Sequence, residues 1–283
     1  MPELPEVETI KLELSPHIIG RKFTEVDIRD KKLIKKPAVA EFRRQLLGKT
    51  INGLERRGKY LIFRLSGGDA LVVHLKMTGS LLLNPKQLNK YVRVVFGLDN
   101  GSRLVFNDRR RLGAIWLVPT EGMVIKKMGP EPLEPSFTVD DLTRQLRRRQ
   151  APIKAVLLDQ GFIAGVGNMY ADESLFAAKI HPLRPANSLS AIEIQNLHRA
   201  IIDVLQAAIS SKGASIDTYI RPDGRLGTAH DNFRVAHRGG QPCPVCGTAI
   251  ERLAIRNRGS YFCPNCQRLE SLASSAGTKK QTA

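Results

Sequence analysis

The chain is poor in cysteine and short of acid. Its only cysteines are Cys243, Cys246, Cys263 and Cys266. No apolar run approaches the roughly 20 residues that a membrane-spanning helix needs, so no membrane partner is expected. The first residues are acidic and contain proline, unlike the basic and then apolar start of a secretory signal. No internal repeat is present. A soluble, intracellular, cytoplasmic protein is expected. Asp plus Glu number 27 against 44 Lys plus Arg, a net charge of +17 over 283 residues. A balance this basic favours a polyanionic partner, nucleic acid first. A ribosomal or generally basic housekeeping protein would carry the same charge.

The cysteines form two C-x-x-C pairs with sixteen residues between them. In a cytosolic protein that spacing reads as one tetrahedral zinc site. A redox role is the alternative, but it needs only one pair.

From about Lys22 to Val118 the pattern is that of short strands. KYLIFRL, ALVVHLK, YVRVVFGL and SRLVFN are β-branched or aromatic and are separated by turns such as DNGS. One helix, about Ala38 to Leu47, interrupts them. A β-sandwich or barrel with a packed helix is predicted. GPEPLEPS, from Gly129 to Ser136, breaks the pattern and marks a domain boundary. Helices follow. Thr138 caps VDDLTRQLRRR, a proline opens PIKAVLLD, and Ser190 with Glu193 has capping-box spacing ahead of a helix ending near Gly213. Ala214 to Gly240 reads as a long loop, and the final LASSAGTKKQTA as disordered.

The opening MPELPEVETI crowds two prolines and three glutamates into its first eight positions. Leu4, Val7, Ile10 and Leu14 have helical spacing, so a helix is predicted from about Pro5 to Leu14. Pro5 suits its first turn, and Glu6 and Glu8 complement its dipole. Pro2 and Glu3 precede that helix and are not explained by it.

MPELPEVET, the stretch GVGNMYADESLFAAKIHPLRPA and the pair CPVC…CPNC together resemble formamidopyrimidine-DNA glycosylases, bacterial repair enzymes for oxidised purines. The likeness runs from Pro2 to about Gln267. The sister group, endonuclease VIII, usually has glycine where Leu4 stands, which favours the purine branch. The resemblance implies an α+β fold: a catalytic β-sandwich with packed helix over residues 2–130 and a linker over 131–136. A helix–two-turn–helix domain over 137–234 would carry a lesion-capping loop at 214–233. A zinc finger over 235–269 and a tail over 270–283 would follow. Double-stranded DNA with an oxidised base would lie in the cleft between the domains, bound by a monomer holding one structural Zn2+.

The resemblance also implies roles. Met1 would be removed, leaving Pro2 as a terminal secondary amine. A model α-amine titrates near ~8 and a lysine near ~10.4, so more of the terminal amine is neutral at pH 7. Attack on sugar C1′ would give an iminium with no N–H to lose, an electron sink for β- and δ-elimination. Glu3 would be the general acid/base, and Glu6 would order the site. Lys59 would contact the phosphate beside the lesion, and Lys154 would lie near the damaged base. Extruding a nucleotide leaves a gap, which Met77, Arg110 and Leu112 would fill. The family usually has phenylalanine at Leu112, although leucine also wedges between bases. Asn168, at a helix start after two glycines, would bind DNA backbone, and Arg258 would grip the phosphates flanking the lesion. Tyr-Gly is common where this chain has Ala236 and His237.

Each residue also has a plain structural reading. Pro2 is then passive, the glutamates serve the helix dipole and Lys59 ends a strand. Met77 and Leu112 become core, Arg109 to Arg111 a solvated cluster, and Asn168 an N-cap. Asp108, Lys31 and Lys32 receive no role. The function expected is excision of 8-oxoguanine and formamidopyrimidines with strand cleavage. An endonuclease VIII-like pyrimidine activity and a catalytically dead zinc DNA-binding protein are the alternatives. The presence of Pro2, Glu3 and Lys59 together argues against the last.

Overall fold

Helix α1 (Leu4–Ile18) runs one turn past the predicted end at Leu14 and carries Pro16 inside it. Proline cannot donate to the carbonyl a turn back. The helix continues because Ile18 extends the buried stripe of Val7, Ile10 and Leu14. The computed structural model describes residues 1–269, so the tail expected to be disordered, 270–283, lies outside the described residues.

Nine strands follow as two facing sheets. They are β1 (Phe23–Ile28), β2 (Ile34–Lys36), β3 (Ile51–Arg57), β4 (Tyr60–Leu65), β5 (Ala70–His74), β6 (Gly79–Leu83), β7 (Val92–Leu98), β8 (Arg103–Asp108) and β9 (Ala114–Val118). One sheet has the order β1-β7-β8-β6 and the other β2-β9-β5-β4-β3. All pairs are antiparallel except β2 with β9. Helix α2 (Val39–Leu46) lies between β2 and β3 and buries Phe42 and Leu46. Phe23, Phe63, Phe96, Phe106 and Ile115 close the sandwich core against α1.

The second half is helical: α3 (Val139–Leu146), α4 (Ile153–Leu157), α5 (Asn168–Ala177) and α6 (Ala191–Ser210). Thr138 caps α3 by accepting the Asp141 N–H at 3.2 Å. Ser190 and Glu193 form the capping box of α6. These helices have their own core around Leu142, Leu157, Phe162, Tyr170, Leu197 and Ile201. Leu4 belongs to this core, while Val7, one turn along α1, belongs to the sandwich. The first turn of α1 is therefore the seam between the two halves, and Leu4 N–H donates to the Gly165 carbonyl at 3.1 Å.

A β-hairpin, β10 (Glu251–Ile255) and β11 (Arg258–Phe262), ends the described chain. Arg256 and Asn257 turn it at φ +48 and +57, the positive values that a tight two-residue hairpin turn needs. The architecture is the expected α+β one of sandwich, helical domain and finger. Among the described residues no helix is long and apolar enough to cross a membrane.

Candidate active site

Glu3 stands at the seam, nearly inaccessible to solvent. Its Oε1 accepts the Met169 N–H at 3.1 Å, in the first turn of α5. Its Oε2 is buried and has no hydrogen-bond partner among the described residues. Glycine at 167 makes this approach possible, because a Cβ there would lie 2.3 Å from the Glu3 carboxyl carbon. Gly167 thus serves Glu3 and Gly165 makes room for Leu4, and the Met169 N–H is not free for a phosphate. Glu6 is also buried. Its Oε2 accepts the Glu3 N–H at 2.7 Å, and its Oε1 accepts from Tyr170 Oη at 2.5 Å and Ala214 N–H at 2.8 Å. Burial raises the pKa of Glu6, and the Glu3 charge raises it further.

Lys59 lies in the two-residue turn between β3 and β4 rather than in a strand, and is 7% exposed. Burial lowers its pKa and Arg258 adds to the effect, while Glu3 and Glu6 oppose it. The predicted linker fixes this turn. Glu131 Oε1 accepts from Gly58 N–H at 2.6 Å and from Arg57 at 2.8 Å, and its Oε2 accepts from Arg56 at 2.6 Å.

Lys154 is fully buried and paired with Asp172 at 2.6 Å. Burial lowers the pKa of Lys154 and pushes Asp172 up to about 7; the contact between them opposes both changes. Lys154 Nζ also lies 3.4 Å from the Gly259 carbonyl, so it supports the finger from beneath.

Met77 sits in the loop between β5 and β6, and Arg110 and Leu112 in the exposed loop after β8. Asp108, which has no role by sequence alone, joins the two loops. It accepts from the Thr78 hydroxyl, from Arg110 N–H at 3.1 Å and from Gly113 N–H at 2.7 Å. Arg111 points away and pairs with Asp30, so the cluster is not uniformly solvated. His74 Nδ1 accepts the Lys76 N–H at 2.9 Å and shapes the Met77 loop. Burial pushes its pKa down to about 3, so this ring is neutral.

Asn168 does not cap α5; Gly167 does. The Asn168 amide donates to the Gly259 carbonyl at 2.9 Å and ties α5 to the finger hairpin. Arg258 opens β11 and is exposed. The four cysteine sulfurs all lie within 4.8 Å of one another, with contacts of 3.5 to 3.8 Å. Four ligands at a Zn–S distance of ~2.3 Å in a tetrahedron stand ~3.8 Å apart. The set fits one structural zinc ion, which holds the finger hairpin in shape.

Met1, Glu3, Met77, Asn168 and Arg258 line one cavity of about 300 Å3. Pro2 is buried beside it, whereas Lys59, Lys154, Arg110 and Leu112 are not in its wall. Residues 216–219, in the loop after α6, form another wall, with Thr218 Oγ1 donating to the Met77 carbonyl at 3.3 Å. The loop is anchored on both sides of that wall, by Ala214 on Glu6 and by Arg221 on Glu13 at 2.6 Å. Sequence reasoning missed Tyr170, His74, Asp172 and Glu131. Tyr170 and Asp172 lie inside the GVGNMYADESLFAAKIHPLRPA stretch, His74 in ALVVHLK and Glu131 in GPEPLEPS, but their partners are distant in sequence and no spacing marked their roles.

An acidic pair at a domain seam, loops that bracket a cavity and a cysteine-held finger are the layout that the resemblance to zinc-finger DNA glycosylases implies. Residues 1–115 match the formamidopyrimidine-DNA glycosylase N-terminal domain. Residues 128–219 match the H2TH domain of the same enzymes, and 240–269 the zinc finger found in FPG and IleRS. The formamidopyrimidine-DNA glycosylase of Desulforamulus reducens is 46% identical over 254 residues, covering 87% of this chain and 92% of its own. That of Rhodospirillum rubrum is 41% identical over 254 residues, 87% of this chain and 90% of its own. Lactococcus lactis FPG, solved with a Fapy-dG-containing DNA, superposes with a TM-score of 0.87 at 35% identity, covering 94% of this chain and 100% of that one. The FPG protein of Thermus thermophilus gives 0.86 at 39% identity, covering 94% and 98%. The chain belongs to the formamidopyrimidine-DNA glycosylase family.

Proposed function

We propose that this chain is a bifunctional glycosylase and abasic-site lyase that excises oxidised purines, 8-oxoguanine and formamidopyrimidines, from duplex DNA. It acts as a monomer in the bacterial cytoplasm. The observation that carries this reading is Glu3 Oε2, a buried carboxylate oxygen without a partner among the described residues, on a side chain that lines the cavity beside Met1. Burying such an atom unsatisfied costs about 1–3 kcal/mol, which suits an atom reserved for substrate.

Removal of Met1 would free the Pro2 nitrogen toward the cavity. The extruded nucleotide enters, and Pro2 attacks C1′ while the damaged base leaves with the electron pair of the glycosidic bond. Glu3 takes the proton that the Pro2 nitrogen sheds on bonding to C1′ and passes it to the sugar ring oxygen, whose bond to C1′ breaks and opens the ring. The Pro2 iminium draws electrons from the C2′–H bond, and base-assisted proton loss expels the 3′ phosphate. A second elimination expels the 5′ phosphate. Glu6 holds the Glu3 backbone in place during these steps. Lys59, with its pKa lowered by burial, binds the phosphate beside the lesion. Met77, Arg110 and Leu112 fill the vacated stack. Asn168 and Arg258 hold the DNA backbone, and Lys154 supports them from below.

The test is covalent trapping. Duplex DNA holding 8-oxoguanine opposite cytosine is incubated with the protein and borohydride. A stable protein–DNA adduct and a cut strand are expected. Lesion binding without adduct or cleavage would mark a catalytically dead relative. Trapping only on oxidised pyrimidines would mark an endonuclease VIII-like enzyme.

A further inference from the structure

The wall of the cavity beside the finger carries an imidazole with no assigned part in the chemistry. His237 adopts φ +62, the left-handed region that glycine enters freely and a side chain does not. Its backbone is nevertheless firmly presented. The buried Glu173 carboxylate accepts the N–H groups of Arg234, Val235 and Ala236 at 2.8 to 3.0 Å. Three residues in a row are thus pinned to α5, and His237 projects from them. Its ring lies 5.7 Å from that of Tyr261 on β11 and lines the cavity with Glu3, Asn168 and Arg258. The ring is exposed at the cavity rim, and no protein hydrogen bond engages its nitrogens among the described residues.

We propose that His237 is a positioning residue of this chain that hydrogen-bonds a backbone phosphate of the extruded nucleotide, beside Arg258. The proposal rests on the glycosylase reading above. A strained backbone held rigid around a free polar ring points to a ligand contact, since glycine would meet the structural need without strain. An exposed imidazole in this wall suits the solvated sugar-phosphate strand better than the base. Arg258 supplies a fixed cation in the same wall, so an anion is the fitting guest.

The charge balance around the ring gives the proposal a pH signature. The groups facing His237 are the terminal amine and Glu3 at the head of α1, Asp217 in the capping loop, Lys154 on α4 and Arg258 on β11. Partial burial and the terminal amine push its pKa down. A phosphate placed against it raises that pKa, so binding takes up a proton and tightens as pH falls.

Two variants test this, with duplex DNA bearing a tetrahydrofuran abasic analogue as the uncleavable probe. His237→Gly relieves the left-handed strain and melts no lower than wild type, yet binds the probe about tenfold more weakly at pH 6. With 8-oxoguanine duplex its KM rises while the single-turnover excision rate holds. His237→Asn, which tolerates the same φ and keeps a donor, binds within about threefold of wild type at pH 8 but lacks the extra tightening at pH 6. Binding curves for both variants that overlay wild type at pH 6 and pH 8 would overturn the proposal. Failure of the wild-type protein itself to prefer the abasic duplex over undamaged DNA would instead count against the glycosylase reading.

Discussion

Glu6 holds Glu3 by its backbone: one Glu6 oxygen accepts the Glu3 N–H at 2.7 Å, and the other is shared by Tyr170 and Ala214. The three donors come from the chain head, from α5 and from the start of the capping loop. A single buried carboxylate thus fixes the terminus relative to both the helical domain and the loop. Low-dielectric surroundings strengthen such bonds and make the loss of any one expensive. Glu3 does not fray because its N–H and one carboxylate oxygen are both bonded within the seam.

Gly167→Ala gives the sharpest local test of Glu3. Gly167 has φ −130, open to any residue, so alanine brings no backbone strain. Its Cβ would lie 2.3 to 2.6 Å from the Glu3 carboxyl atoms and must displace them. Excision is expected to fall about 100-fold, the usual penalty for a shift near 1 Å, while the far-UV spectrum stays native. Single-turnover rates that match wild type would show that Glu3 need not stand where it does.

The linker is structural, and Glu131→Ala should show it. Arg56 is 6% exposed and keeps Glu8 at 2.7 Å, but removing Glu131 takes away its second carboxylate and leaves the Gly58 N–H unpaired. A stability loss of about 2 kcal/mol is expected from denaturant unfolding. The Gly58–Lys59 turn also loosens, so kcat falls as well. Stability and kcat both unchanged would mean the linker is only a tether.

Much of this was legible in the sequence and some was not. The zinc ligands, the capping box at Ser190 and the strand-rich first half follow from spacing and composition. The strands β3 (INGLERR) and β6 (GSLLL) are harder, because glycine, charge and leucine hide the strand alternation. Glu131 meets residues 56–58 and Glu173 meets 234–236, contacts across more than 60 positions that no local pattern encodes. Asp108 looked like one acid in a basic run; only the fold shows that it joins two loops. The Asn168 cap failed for a different reason: the cavity needed glycine at 167, and glycine took the cap.

The Asp172–Lys154 pair predicts a pH signature in stability. Asp172 titrates at about 7 when folded against an ordinary 3.8. The folded state therefore holds this proton more tightly. Its contribution is full below about 3.8 and is lost as pH rises through about 7. Melting curves between pH 4.5 and 7.5 should slope downward for this reason, and Asp172→Asn should flatten part of that slope. Parallel slopes for the two proteins would contradict the assignment.

Metal removal should act at a distance from the cavity floor. Stripping zinc with a chelator releases the β10–β11 hairpin, and with it Arg258 and the Gly259 carbonyl that holds Asn168. One zinc per chain is expected from elemental analysis. Lesion-duplex binding should be lost on chelation, while the sandwich keeps its far-UV signal. Full binding by the zinc-free protein would refute a holding role for the finger.

The account turns on the atom that bonds to the sugar. Purified active protein is trapped with borohydride on 8-oxoguanine duplex and digested, and its N-terminal peptide is weighed by mass spectrometry. The prediction is a chain beginning at Pro2 with the reduced sugar remnant on that residue. A fully active chain that still begins at Met1, or a remnant on Lys59 with Pro2 unmodified, would contradict it.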